Sequence, residues 1–550
     1  MDIQKNKLLE DKLMIEDINP FHSPRRWRHT IINAVNIPTT LRFTRRGFIC
    51  ALVTSRCQLG CTTCMFASNM AEKRSETNTM TPDRVNALLK FVKDSNTGYF
   101  LVSGGGEGFL ELPLMYKLIE GSSADITWMV TSGFWAHNEE KTKRILSECR
   151  AAHERGVSNN PDREIVIRLS VDQHHVGRIG LPQDPLSYVR QIIGVFEQEH
   201  SRASGFSLML HSLDGEQDLI NILAKQLGGS VHLVDEKMHS DIKVTEQSMQ
   251  IRLPSGFLIP VTFAKLLLSD MAADLRDEAL LAQRIRIWET DAYINERDLT
   301  GLQLHEDGYG HDMLVIYDGR VAGGWQCEMP DVPISIDEHD YGQVMQRTLS
   351  DPGVLATLEK GQRYRFAVIG EINFRACTRA KAVNIRDYTS PVLLEEDRVK
   401  LYYTIRAIQD FRSEGRLETI SDSIGPACLQ IIEATREQLL TWYMQSNYDI
   451  IMQYRQQHSG FLAFEGALIQ FSEDKNVEKL LNITLEASKH NLKVVDQWRL
   501  LLLRINHNWY EVISWEKEIL SIIDQAIACI DANILKGKRP YEGLSMQSLR

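Results

Sequence analysis

A chain of 550 residues, 43% of them hydrophobic, holds enough apolar material for several cores, so two or three domains are expected rather than one. A formal charge of -11 argues against a nucleic-acid partner, because phosphate binding needs a basic face, and leaves a small molecule or a peptide as the expected partner class. There is no apolar run behind a basic start and no stretch of roughly eighteen apolar residues, so neither export nor a membrane span is expected and the chain is assigned to the cytoplasm.

Residues 1–46 read as a polar lead-in with a basic patch, Arg25-Arg26-Trp27-Arg28. From 47 to 240 short β-rich runs alternate with helical ones, the pattern of βα units around a parallel sheet. Strands are expected at 48–54, 99–103, 126–131, 164–171, 206–211 and 231–234, each a compact apolar run. Helices are expected at 82–93, behind a Thr81 cap, at 140–154, and at 185–199 behind Asp184. Six such repeats predict an α/β fold with a partial TIM-like (β/α)6 barrel. Residues 241–394 read as an insertion and a small α+β cap. Within it lie one hairpin at 250–259, around Pro254-Ser255-Gly256, and another at 313–326, around Asp318-Gly319. Residues 395–550 are helical in pattern throughout and form the expected C-terminal helical domain.

Nine cysteines, three of them between positions 57 and 64, suit a metal site in a reducing compartment better than a disulfide framework. The segment Cys57-Gln58-Leu59-Gly60-Cys61-Thr62-Thr63-Cys64 follows directly on the first expected strand. Three thiolates on one loop can reach three irons of a cubane cluster and leave the fourth open, whereas a cluster built for electron transfer alone normally has four cysteines. The competing reading is zinc, but structural zinc sites recruit paired units with four ligands and no partner pair is visible.

This C-x3-C-x2-C spacing resembles the radical S-adenosylmethionine (radical SAM) superfamily. Three further segments strengthen the resemblance by their position. Ser103-Gly104-Gly105-Gly106-Glu107 ends the second expected strand as the family's GGE motif does, and glycines suit a backbone that passes close to a ligand. Val130-Thr131-Ser132-Gly133 is similar to the turn ending the third, and Arg168-Leu169-Ser170-Val171-Asp172 to the fourth-strand pattern near the ribose. The resemblance covers about 47 to 234 and implies one 4Fe-4S cluster on Cys57, Cys61 and Cys64. It also implies S-adenosyl-L-methionine (AdoMet) held by Gly104, Gly105, Gly106, Glu107, Ser132 and Ser170, and flavodoxin or ferredoxin as reductant. Ser170 also reads as an ordinary strand-end serine. The family's frequent aromatic residue before the third cysteine is here Thr63, with Phe66 as a substitute.

Of the other cysteines, Cys50, Cys149, Cys428 and Cys529 read as core thiols. Cys327, behind the second hairpin, and Cys377, in a loop between Arg375 and Arg379, remain. Their order resembles a degenerate SPASM extension, but two cysteines so far apart do not supply an auxiliary cluster. One cluster with a free thiol resembles the radical SAM peptide epimerases of proteusin biosynthesis. That resemblance implies a ribosomally made precursor peptide with a leader as substrate, α-hydrogen abstraction, and hydrogen return from Cys377, with Cys327 in reserve. Cys377 reads equally as a structural thiol, and a single-cluster enzyme acting on a sugar or antibiotic intermediate is the alternative.

Overall fold

The computed structural model describes residues 19–42, 47–61, 64, 68, 78–103, 105–199, 205–213, 215–234, 248–264, 302–305, 308–322, 334–380, 396–422 and 424–457. They fall into two compact units, Pro24–Glu433 and a second made of Met1–Ser23 with Ala434–Arg550.

The larger unit is a mixed α/β structure around a parallel sheet. In chain order it contains α1 (Pro24–Ala34), β1 (Val35–Asn36), β2 (Phe48–Leu52), α2 (Pro82–Ser95), β3 (Tyr99–Ser103), α3 (Leu112–Gly121) and β4 (Ile126–Thr131). There follow α4 (Glu139–Gly156), β5 (Glu164–Ser170), α5 (Gln173–Ile179), α6 (Ser187–Glu199), β6 (Phe206–Leu213), α7 (Gln217–Gln226) and β7 (Ser230–Val234). Next are β8 (Ser248–Arg252), β9 (Leu258–Ala264), β10 (Leu302–His305), β11 (Gly308–Ile316), β12 (Val321–Ala322), α8 (Tyr341–Leu349) and α9 (Pro352–Ala380). The unit closes with α10 (Asp397–Ser413), β13 (Thr419–Ile420) and α11 (Pro426–Glu433).

The main sheet runs in the order β10-β11-β2-β3-β4-β5-β6-β9-β8-β7. Pairing is parallel from β11 through to β9 and antiparallel at both ends. The first five expected strands occur in that parallel run. The sixth does not: 231–234 is the edge strand β7, antiparallel to β8, with Leu233 78% exposed. The place beside β6 belongs to β9, where Val261 and Phe263 are fully buried and pair in register from Leu210↔Val261. Pro260 disguised this strand, since proline is a poor sign of an interior strand. It is tolerated because it sits opposite Gln250 of β8, before the β6 register begins. The 250–259 hairpin is present as β8–β9, and the Asp318-Gly319 turn joins β11 to β12 with Gly319 at φ 86°. β11 is not part of a separate cap, however. It pairs in parallel with β2 from Asp312↔Phe48 to Ile316↔Leu52. A hairpin is a local signal, whereas this pairing joins distant segments and leaves no mark in either.

Side chains alternate across the sheet. Ile49, Ala51 and Val53 face the helices and join one large core with Val85, Leu88, Phe91, Leu118, Ile145 and Ile192. Phe48, Cys50, Leu52 and Leu101 face the other way, with Trp128, Val130, Leu314 and Ile316 packed against them. The helices start where polar caps allow: Thr81 accepts a hydrogen bond from Arg84 N, Asn138 from Lys141 N, and Asp340 forms a capping box with Gln343.

The lead-in contains a helix. In α1, Trp27, Ile31 and Ala34 are buried at helical spacing, a short stripe that the surrounding basic residues obscured. The guanidinium of Arg28, 1% exposed, donates to Asp351 Oδ2 at 2.5 Å and to Thr404 Oγ1 at 2.9 Å, and so ties α1 to α9 and α10. Helices α9 and α10 are joined by Thr357 and Tyr403 (3.0 Å), Tyr364 and Asp410 (2.7 Å), and Tyr402 and Glu371 (2.6 Å). The loop expected around Cys377 is instead part of a helical element, Pro352–Ala380, which passes through Gly361 at φ 82°.

In the smaller unit, Phe21 meets Tyr443 of α12 (Arg436–Gln457) edge to face at 5.6 Å, and Ser446 Oγ donates to Phe21 O at 3.0 Å. Among the described residues, no helix is long and apolar enough to cross a membrane.

Arg28→Ala removes the opposite charge from the buried Asp351 carboxylate, whose other oxygen accepts from Gly353 N and Val354 N, so it should lower stability by ~3–5 kcal/mol. Urea denaturation of the two proteins checks this; an unchanged midpoint would mean that Asp351 finds water or another partner.

Candidate functional site

The C-terminal ends of adjacent parallel strands lie side by side, and open α/β sheets bind ligands at that edge. The chain leaves β2 into the cysteine loop, β3 into Gly105-Gly106-Glu107, β4 into Ser132-Gly133, and β5 into Asp172. Cys57, Cys61 and Cys64, Gly105, Gly106, Glu107, Ser132 and Ser170 therefore all belong to this edge. Gly104 and Cys327 lie outside the described residues, as do Thr63, Phe66 and Cys529. Cys377 is in the last turns of α9.

The cysteine loop is held from three sides. Gly106 N donates to Thr54 O and Glu107 N to Arg56 O, both at 2.7 Å. A Cβ on Gly106 would stand 1.9 Å from Arg56 O, and Gly105 takes φ 66°, so two glycines are needed at this crossing. Arg56 pairs with Glu111 at the foot of α3. From α5, Arg178 Nη1 donates to Leu59 O at 3.0 Å. The loop itself turns tightly, with Cys64 N donating to Cys61 O at 3.2 Å.

Cys57 and Cys64 are half-buried and Cys61 is buried. Burial raises the Cys57 thiol pKa; backbone N–H groups of Leu59 and Gly60 lower it, and the charges of Glu107 and Cys64 raise it. Cys61 is pushed up to about 11, by burial first and then by Cys57, with Arg178 opposing. The three sulfurs are thus close enough to resist joint ionisation, and a cationic group that binds all three removes that resistance. Among the described residues, no three or more His, Cys, Asp or Glu side chains are placed to hold a single metal ion. A cubane asks for less convergence, because each thiolate takes its own iron. The residues fit such a cluster.

Glu107 is buried, and its carboxylate is occupied by the protein. Oε1 accepts from Thr131 Oγ1 (2.9 Å) and Phe109 N (3.1 Å), and Oε2 from Ser132 N (2.8 Å) and Ser132 Oγ (2.6 Å). The Ser132 hydroxyl is used in the same contact.

Two groups at this edge join residues of the 168–172 segment to histidines that were not singled out from the sequence. Asp172 caps α5, accepting from His174 N and His175 N at 3.0 Å, and its other oxygen meets His175 Nδ1 at 2.6 Å. Burial pushes the Asp172 carboxyl up, but the bond and charge of His175 outweigh it and hold the pKa low. For His175 burial acts downward, and Asp172, Glu107 and Glu216 raise the pKa on balance. The spacing Asp-x-x-His at a helix start was the available signal. On the sheet face away from the helices, Arg168 Nη2 meets His211 Nδ1 at 2.8 Å, which lies 2.9 Å from Thr262 Oγ1. The Arg168 guanidinium also stacks over Trp128 at 5.2 Å. Burial and the Arg168 charge keep His211 neutral at ordinary pH. These residues come from β4, β5, β6 and β9, so no local pattern joins them.

No family model and no curated protein matches the chain. Among solved structures it is similar to native anSMEcpe with bound AdoMet, at 13% identity and a TM-score of 0.32, over 71% of this chain and 100% of that one. The histidine-tagged form of that protein with bound AdoMet aligns over 72% and 98% at 13% identity, TM-score 0.33. The native protein with AdoMet and the Kp18Cys peptide aligns over 67% and 99% at 12% identity, TM-score 0.31.

Gly106→Ala should displace the cysteine loop and leave the purified protein with a small fraction of the wild-type iron. Gly177→Ala, where a Cβ meets nothing within 4 Å, should keep it all. Iron per chain after anaerobic reconstitution is the measurement, and equal iron in both variants would refute the steric account.

The Asp172–His175 pair has a pH signature. Its stabilising effect is present above about pH 4, where an unfolded Asp ionises, and is lost as pH falls through the lowered Asp172 pKa. It is also full below about pH 6.5 and is lost as pH rises through the raised His175 pKa. The melting-temperature gap between wild type and His175→Gln should be widest between those limits and should shrink above them; a gap independent of pH would mean that His175 acts by packing.

Proposed function

We propose that the protein is a radical SAM enzyme that converts L-residues to D-residues in a ribosomally made precursor peptide. The observation that carries the first part is the joining of the cysteine loop to the Gly105-Gly106-Glu107 turn by two backbone hydrogen bonds, at the C-terminal edge of a parallel sheet. Three thiols and a glycine turn from neighbouring strands then border one place, as a cluster and a ligand on its open iron require.

In this reading Cys57, Cys61 and Cys64 bind a 4Fe-4S cluster, and the backbone at Gly104, Gly105 and Gly106 borders AdoMet, with Ser132 and Ser170 on neighbouring strand ends. When bound and reduced by flavodoxin or ferredoxin, the cluster supplies the electron that splits AdoMet into methionine and a 5′-deoxyadenosyl radical. The chain's own task is to hold the peptide α-carbon within reach and to return a hydrogen atom to its other face from a thiol, the thiyl radical left behind being restored to thiol by one electron from the same flavodoxin or ferredoxin and one proton from solvent. Cys377 is the proposed donor and Cys327 the reserve. Cys50, Cys149 and Cys428 are unsuitable, because all three are buried and a donor thiol has to meet the peptide.

Replacing Cys57, Cys61 and Cys64 together by alanine should abolish the brown absorbance and deoxyadenosine release while leaving the fold intact; iron near four per chain in that variant would reveal a second cluster. With a precursor peptide in deuterium oxide, each new D-residue should carry one α-deuterium. Cys377→Ala should still release deoxyadenosine while D-residue formation falls at least tenfold. Loss on Cys327→Ala instead moves the role there, and no α-deuterium in any protein refutes epimerisation in favour of a small-molecule substrate.

A further inference from the structure

The Glu107 side chain has four hydrogen bonds to the protein and lies 5% exposed, which raises the question of what so demanding a carboxylate does at this edge. An ionised carboxylate offers about four lone-pair positions, and here Phe109 N, Thr131 Oγ1, Ser132 N and Ser132 Oγ use them. An ammonium group of a ligand would find no free acceptor on it. Its partners are equally committed. Thr131 Oγ1 accepts from Gly133 N and from Trp135 Nε1, both at 3.1 Å, so its one proton is left for Glu107. The Trp135 ring in turn stacks on Phe109 at 5.5 Å and 19°. Glu107, Phe109, Trp135 and Thr131 thus form a closed circuit that joins the turn after β3 to the loop after β4. Through Glu107 N and Arg56 O the same residue holds the cysteine loop.

We infer that Glu107 is a positioning residue: its carboxylate locks the loops after β2, β3 and β4 into one arrangement before any ligand arrives, and acts on AdoMet affinity without touching AdoMet. The inference rests on the radical SAM reading for the identity of the ligand. Only a carboxylate fills the role. All four partners donate, so a glutamine would aim N–H groups at N–H and O–H groups. Preorganised backbone is where a ligand site gains affinity, because loops fixed in advance need no ordering on binding.

The test compares Glu107→Gln, Thr131→Val, the double variant and Ser132→Ala with the wild type, each with its cluster reconstituted. The readouts are AdoMet affinity, by calorimetry, and amide exchange without AdoMet. Glu107→Gln should weaken AdoMet at least tenfold and speed exchange at Phe109, Ser132 and Gly133 by a similar factor. Thr131→Val should reproduce most of both effects, and the double variant should be little worse than either single one. Ser132→Ala, which keeps the backbone donor, should give a smaller loss in the same direction and serves if a larger change prevents folding. Wild-type affinity in Thr131→Val beside a loss in Glu107→Gln would mean direct contact with the ligand, and fully additive losses would mean two independent roles; either overturns the inference. So does normal exchange in Glu107→Gln when the wild type binds AdoMet. A wild type that binds no AdoMet at all overturns the radical SAM reading and, with it, the ligand part of this inference.

Discussion

The peptide backbones of two neighbouring strand-end loops cross at Gly106 with no room for a side chain. Two hydrogen bonds of 2.7 Å span the crossing, one to Thr54 O and one to Arg56 O, on either side of Ser55. Because the bonds are between main chains, they fix the path of the chain into Cys57 without reference to which side chains lie there. The parallel pairing of β2 with β3, from Phe48↔Tyr99 to Leu52↔Ser103, brings the two loops to the same level at the sheet edge. Everything else at the edge is built on this: Arg178 reaches Leu59 O, Arg56 reaches Glu111, and Glu107 reaches β4 only because the crossing sets where each starts.

The parts of the fold written in local pattern were legible. Strands β2 to β6 are short apolar runs, and α2, α4 and the β11–β12 turn carry their caps and turn residues in the chain. What was lost is what depends on distant pairing. β9 contains a proline and β11 looks like half of a hairpin, yet both lie in the parallel run, because their partners, β6 and β2, offer edges that only the folded sheet brings near. Helix α1 was lost for another reason. Its apolar stripe is three residues deep, and its most important buried group is Arg28, a charge that reads as surface until Asp351 and Thr404 are seen beside it.

The candidate site divides in the same way. Cysteine spacing and a glycine turn after a strand are chemical signatures with fixed local form. The role of Glu107 is not: the sequence suggests a ligand contact, and the four donors around the carboxylate come from residues 109, 131 and 132, two of whose positions have meaning only once β3 and β4 lie together. Arg168, His211 and Thr262 share one face, His211 being paired with Ser170 and Thr262 and Arg168 lying two residues before Ser170, a relation that register alone creates.

Register also gives the sheet two unlike halves on the face away from the helices. From β11 through β4 that face carries Leu314, Ile316, Phe48, Cys50, Leu52, Leu101, Trp128 and Val130, with Asp312 and Ser103 at the strand ends. From β5 to β9 it carries Arg168, Ser170, His211 and Thr262, with Val166 and Met209 among them. Trp128 marks the seam, with the Arg168 guanidinium over its ring. A cation over an aromatic face keeps much of its attraction where water is scarce, so the seam costs less than an arginine against aliphatic side chains would. His211 serves the polar half in the same spirit. As a neutral ring it accepts from Arg168 without adding a second buried charge, whereas a protonated ring there would set two cations within hydrogen-bond distance of one another. Burial of His211 and the charge of Arg168 thus act in the same direction, both favouring the neutral ring.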